Sequence, residues 1–89
     1  MPEISRFLGI VITMYPEAGE RHNRPHFHAR YGEHRATFSV ATADLLAGSF
    51  PKAQLRLVQA WAELRRSQLE VDWDLLTTGR TPNKIDPLS

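Results

Sequence analysis

The order of apolar and polar residues divides the chain into a strand-forming first half and a helix-forming second half. Residues 4–15 are rich in β-branched and large apolar side chains, among which Gly9 predicts a bulge or a close backbone approach. Residues 26–31 and 34–40 alternate between apolar and polar side chains, as half-buried strands do. Turn-forming residues over 16–25 predict a polar loop between the two regions.

The two alternating segments are joined by Gly32-Glu33, which favours a type II′ hairpin turn. That turn sets the register, so that Arg30 faces Arg35 and His28 faces Thr37. One face of the hairpin then collects apolar side chains, which predicts the core side: Phe27, Ala29, Tyr31, Ala36, Phe38 and Val40. The other face collects His26, His28, Arg30, Arg35, Thr37 and Ser39.

The second half has helical spacing. A first helix is predicted over Lys52–Arg66 with Ser49 as its N-cap, and residues 44–48 before it form a short fourth strand or a turn. A second helix is predicted to begin at the capping box Ser67–Glu70 and to end at Gly79. The buried stripes of the two helices comprise Leu57, Trp61 and Leu64, then Leu69, Trp73 and Leu76.

Together these elements predict a single α+β domain over residues 1–89. An antiparallel sheet of three or four strands, over about 4–48, is followed by two helices, over about 51–79, packed on one face. An extended tail over 80–89 places Ile85 and Leu88 against the body. The core is adequate but small for such a domain, so a homodimer would supply useful further burial.

Composition excludes several classes of protein. The chain has no cysteine, which excludes disulfides and thiolate metal sites. No apolar run approaches the roughly 20 residues that span a bilayer, and residues 1–6 lack the pattern of a secretory signal. We therefore expect a soluble cytoplasmic protein without a membrane partner.

The net charge is only +1, but the charge is unevenly distributed. The segment Arg21–Arg35 holds four arginines and one glutamate, an excess of 4 − 1 = 3 positive charges. Glu70, Asp72 and Asp74 form an acidic stretch near the other end. One surface is therefore expected to attract phosphate and another to repel it.

All four histidines lie within residues 22–34, and His26 and His28 share one face of a strand. The first interpretation is anion or RNA binding, in which Arg24, Arg30 and Arg35 contact phosphate and the two histidines donate hydrogen bonds. Tyr31 would assist binding or catalysis at this site if it is not a core residue. The second interpretation is that the two histidines are edge-strand residues that form hydrogen bonds with neighbouring residues or contact a partner protein.

Two further interpretations involve chemistry. His26 and His28 would be general base and general acid of a metal-independent endoribonuclease, with Arg30 stabilising charge on phosphorus. Alternatively, His22, His26 and His28 would bind a divalent metal, although the neighbouring arginines disfavour a cation. We therefore expect no metal and no other cofactor.

The chain resembles a family of small bacterial proteins, the domain-of-unknown-function family 4160. The resemblance rests on segments spread along the sequence: Ile4–Phe7, Gly9–Ile12, Pro25–His28, Tyr31-Gly32, Gly48–Pro51, Leu57-Val58 with Trp61, and Ile85–Leu88. The His-Phe-His core followed by Tyr-Gly is the specific part. Arg24 stands where family members often have a proline.

The resemblance implies a partner rather than a reaction. Genes of this family commonly lie beside a gene for a second small protein, an arrangement that looks like a toxin–antitoxin pair. The sequence-based hypothesis is therefore a component of such a two-gene module, which binds the adjacent gene's product and presents His26, His28, Arg30 and Arg35 to RNA or to that partner.

Overall fold

A computed structural model describes residues 2–16 and 24–88. Its elements, in chain order, are β1 (Glu3–Phe7), β2 (Ile10–Thr13), β3 (His26–Tyr31), β4 (His34–Ser39), β5 (Leu45–Gly48), α1 (Lys52–Leu64) and α2 (Arg66–Thr77). The strands pair antiparallel in the order β1-β2-β3-β4-β5. The predicted α+β class is confirmed, but the sheet has five strands rather than three or four.

The additional strand arises because the apolar segment 4–15 folds back on itself. Leu8 and Gly9 have φ values of +49° and +81° and connect β1 to β2. Two consecutive residues with positive φ are typical of a type I′ hairpin turn, so Gly9 is a turn residue rather than a bulge. A Cβ on Gly9 would lie 3.2 Å from Cε1 of Tyr31, so the expected close approach is real.

The predicted register of the central hairpin is confirmed. Arg30 pairs with Arg35, His28 with Thr37, and Tyr31 with His34. Gly32 has a φ of +58°, the positive value that the first central residue of a type II′ turn requires. The polar and apolar faces of β3 and β4 are therefore those that the alternation predicts. Residues 17–23, most of the predicted loop, lie outside the described residues.

The helix starts differ from prediction. Pro51, not Ser49, precedes α1, and neither helix has a side-chain N-cap hydrogen bond. Only Arg65 separates α1 from α2. Because α2 begins at Arg66, Ser67 lies inside the helix and cannot be the N-cap of a capping box. At the other end of α2 the Arg80 N–H donates to the Leu75 carbonyl at 2.7 Å, and Gly79 has a φ of +79°. This Schellman arrangement confirms the predicted end of the helix.

Trp61 of α1 sits at the centre of the core on the apolar face of the sheet. Its ring lies 5.5 Å from that of Phe7 and 5.7 Å from that of Phe27. Trp61 Nε1 donates to the Asp86 carbonyl at 2.9 Å, and the Ile85 N–H donates to Ile4 at 2.7 Å, so the tail packs on the body as predicted. In the described part of the chain, neither helix has the length and apolarity needed to cross a membrane.

Candidate functional site

The polar face of the sheet carries a row of three arginines. Arg35 pairs with Arg30, Arg30 pairs with Val11 of β2, and Val11 pairs with Arg6 of β1. Because directly paired residues project from the same face, Arg6, Arg30 and Arg35 form one line across four strands. We call these three residues the arginine row.

A second row runs beside it and contains His28. Thr13 pairs with His28, and His28 pairs with Thr37. His28 Nδ1 lies 3.2 Å from Thr37 Oγ1, a hydrogen bond in which the hydroxyl takes either role. The ring of Tyr15 stacks on that of His28, with centroids 4.6 Å apart and planes within 6°. Two independent contacts therefore orient the His28 ring at this surface.

His26 has a different environment from His28. It is only 9% exposed, and its ring lies 5.0 Å from that of Trp73. Its Nδ1–H donates to the Arg24 carbonyl at 2.8 Å, because a carbonyl only accepts. The two histidine rings meet edge to face with centroids 5.3 Å apart. His26 is thus a packed residue, and the half-buried His28 is the one that borders the open face.

A pocket of about 180 Å³ opens where the two rows meet. The polar side chains lining it belong to Thr13, Tyr15, His28, Arg30, Arg35 and Thr37. Its volume is below the roughly 300–1,000 Å³ typical of pockets that enclose a small molecule. The pocket therefore suits a single charged group, such as a phosphate, better than an entire metabolite.

The arginine row is strongly positive. Arg6 is paired with Glu3 at 2.8 and 3.2 Å, whereas neither Arg30 nor Arg35 has an ion-pair partner among residues 2–16 and 24–88. The hydrogen bond from Arg6 lowers the pKa of Glu3, and the charge of Arg30 lowers it further. Like charges placed directly opposite each other destabilise a sheet. An anion between Arg30 and Arg35 would relieve that repulsion.

The structure brings some of the predicted site residues together and separates others. His28, Arg30 and Arg35 meet at the pocket, while His26 lies beneath Trp73. Tyr31 is on the opposite face, 6.4 Å from the Phe50 ring, since successive strand side chains alternate. The structure therefore places Tyr31 on the core side of the sheet, away from the pocket.

The remaining candidates are Arg24 and the metal ligands. Arg24 is exposed, and its carbonyl accepts the hydrogen bond from His26. The described residues contain no group of three or more His, Cys, Asp or Glu side chains placed to hold a metal ion. His22, the third ligand of the metal interpretation, lies outside the described residues.

Sequence reasoning missed Arg6 and Tyr15. Both depend on how β1 and β2 pair with each other and with the central hairpin, which the composition of residues 4–15 does not specify. Val11, Thr13 and Tyr15 alternate along the chain and therefore project from the same face. Because Thr13 pairs with His28, this alternation places Tyr15 beside His28.

The fold and this site define a small α+β protein with a basic, histidine-bearing sheet face. The model of a family described as a domain of unknown function, DUF4160, matches residues 9–74, which are 66 of the 89 residues. The chain therefore belongs to the DUF4160 family. The match includes His28, Arg30 and Arg35, whereas Arg6 precedes it. No curated protein and no solved structure matches the chain significantly.

Proposed function

We propose that this protein is the RNA-binding component of a bacterial, cytoplasmic toxin–antitoxin-like module. The polar face of its sheet binds the phosphate backbone of single-stranded RNA, and the protein also binds the small protein encoded by the adjacent gene. The partner part of the proposal rests on the family resemblance. The RNA part rests on the site.

The observation that carries RNA binding is the pairing of Arg30 with Arg35 beside His28. Two facing arginines that form no salt bridge within the described residues are an arrangement that a bound phosphate stabilises. His28 and Thr37 add hydrogen-bonding groups at the same pocket. Tyr15 adds an aromatic side chain, the type on which RNA bases stack.

The geometry favours binding over ribonuclease chemistry. General acid and general base must each lie within about 2.6–3.2 Å of the groups they serve, on opposite sides of phosphorus. The rings of His26 and His28 instead contact each other, with centroids 5.3 Å apart, so a phosphate does not fit between them. Trp73 also covers His26.

The test is fluorescence anisotropy of a labelled single-stranded RNA with untagged protein in EDTA, over a salt series. If three arginines each neutralise one phosphate, the slope of log K against log salt is about −2, since each contact contributes roughly 0.7. The double variant Arg30→Gln/Arg35→Gln reduces the slope to about −0.7 and weakens binding at low salt. Arg56→Gln/Arg80→Gln removes the same charge from other exposed sites and serves as the control.

Equal weakening in both double variants would mean that only net charge matters, and absence of binding by folded wild-type protein would refute the RNA proposal. The same RNA, run on a gel, reveals cleavage. Products that disappear in both His26→Ala and His28→Ala would favour the ribonuclease alternative. Co-expression with the product of the adjacent gene, followed by co-purification through a tag on that product, tests the partner proposal separately.

A further inference from the structure

A depression of about 210 Å³ lies between α2 and the C-terminal segment, away from the arginine row. It is lined by Ser67, Gln68, Val71, Asp72, Asn83 and Ile85. Four of these residues are exposed at the surface, so the depression is open to solvent. None of the six lining residues is basic.

Asp72 is the unusual residue of this depression, because it is a carboxylate that is only 1% exposed. Its Oδ1 accepts a hydrogen bond from the Asn83 N–H at 2.9 Å, but its Oδ2 accepts none from the residues that the structure describes. Burial raises the pKa of Asp72, and the Asn83 hydrogen bond only partly opposes that effect. A buried carboxylate oxygen without a donor is costly, and either a proton or a nearby positive charge would stabilise it.

The surroundings of Asp72 have the character of a protein interface. Val71 is 51% exposed and separates the depression from a second one, also of about 210 Å³, lined in part by Asp74 and Leu75. Leu64, the last residue of α1, was expected on the buried stripe of that helix but is 61% exposed. Exposed apolar side chains surrounded by polar ones are typical of protein–protein contact surfaces. The acidic residues Glu70 and Asp74 would repel the phosphates of RNA from this surface.

We propose that this surface of α2 docks the partner protein and that an arginine of the partner enters the depression beside Asp72. The guanidinium lies beside the Asp72 carboxylate and neutralises its charge, and the aliphatic part of the side chain packs against Val71. The acidic side chains of α2 complement a basic partner surface. This inference deepens the partner part of the proposed function and rests on it.

The test is an NMR titration of the ¹⁵N-labelled wild-type protein with N-acetyl-arginine amide. N-acetyl-citrulline amide is the control ligand, because it has nearly the same shape and no charge. The arginine compound is expected to shift the amides of Asn83, Val71 and Gln68 saturably, with millimolar affinity, whereas the citrulline compound leaves them unchanged. Asp72→Asn is expected to weaken that binding at least about tenfold, because the neutral amide no longer attracts the guanidinium.

Asp74→Asn removes the same charge from an exposed position of α2 and is expected to retain most of the affinity. No saturable shift in wild-type protein, equal shifts with citrulline, or equal affinity in Asp72→Asn would each overturn the proposal. None of these results involves RNA, so they are distinguishable from failure of the anisotropy test. Conversely, absence of RNA binding leaves this titration unaffected.

Discussion

Trp73 of α2 lies against the ring of His26 at the start of β3, with ring centroids 5.0 Å apart and planes inclined by 54°. The contact links the second helix to the histidine-bearing strand. His28, on the same face of that strand, stacks instead on Tyr15 and borders the pocket. The His-x-His pair therefore combines one residue that supports the fold with one residue available to a ligand.

This division predicts unequal effects of alanine substitutions on stability. His26→Ala leaves a cavity beneath Trp73 and removes the hydrogen bond to the Arg24 carbonyl, at an expected cost of about 2–3 kcal/mol. His28→Ala is expected to cost about 1 kcal/mol, because His28 is only half-buried. Urea denaturation followed by circular dichroism measures both, with the exposed His34→Ala as control. Equal costs for His26 and His28 would contradict the division.

The facing arginines predict a substitution that stabilises the free protein. Arg35→Gln removes the repulsion with Arg30 and is expected to raise the free energy of unfolding by about 0.2–0.5 kcal/mol at low salt. The gain should shrink at high salt, because screening weakens interactions between exposed charges. Chemical denaturation at two ionic strengths measures it. Arg56→Gln, on the exposed side of α1, controls for net charge, and an equal gain there would count against the proposed repulsion.

Asp72 predicts a specific dependence of stability on pH. Burial raises its pKa in the folded state, so the folded protein binds the proton more tightly than the unfolded chain does. The contribution of Asp72 to stability is therefore fully present below its unfolded pKa of about 3.9 and is lost as the pH rises through the folded pKa.

Asp72→Asn cannot lose a proton and still offers an oxygen to the Asn83 N–H. We expect its stability relative to wild type to increase between about pH 3 and 7, measured by urea denaturation at each pH. The exposed Asp74→Asn should show no such rise. A relative stability of Asp72→Asn that falls as the pH rises would mean that the carboxylate is stabilised in the fold.

Two glycines with similar backbone conformations predict very different costs of substitution. Gly48 and Gly79 have φ values of +83° and +79°. A Cβ on Gly48 would collide with the Arg35 carbonyl oxygen and lie 2.9 Å from Ala36 Cα, whereas a Cβ on Gly79 would meet nothing within 4 Å. Gly79→Ala is expected to cost about 1–2 kcal/mol, the conformational penalty alone.

Gly48→Ala adds a backbone clash, and a total of about 3 kcal/mol or more is expected. The clash separates β4 from β5, so binding of RNA at the adjoining pocket should weaken as well. The melting temperatures of the two variants, measured by thermal unfolding, test this difference. Similar melting temperatures for the two would show that β5 shifts without cost.

The α+β class, the register of β3 with β4 and the faces of that hairpin follow from the order of residues along the chain. These features are local: the alternation of side chains has a period of two, and the turn at Gly32 sets which residues face each other. The end of α2 at Gly79 was predictable for the same reason, because its hydrogen bonds join residues only a few positions apart.

The composition of the site depends instead on how the strands and helices pack against one another. Arg6 joins the arginine row through two successive strand pairings, and the start of α2 follows from its near continuity with α1 rather than from a capping signal. Trp73 covers His26, and the tail covers Asp72, through contacts between segments distant in sequence. Such contacts depend on how elements pack around a shared core, and residue spacing within one element does not encode them.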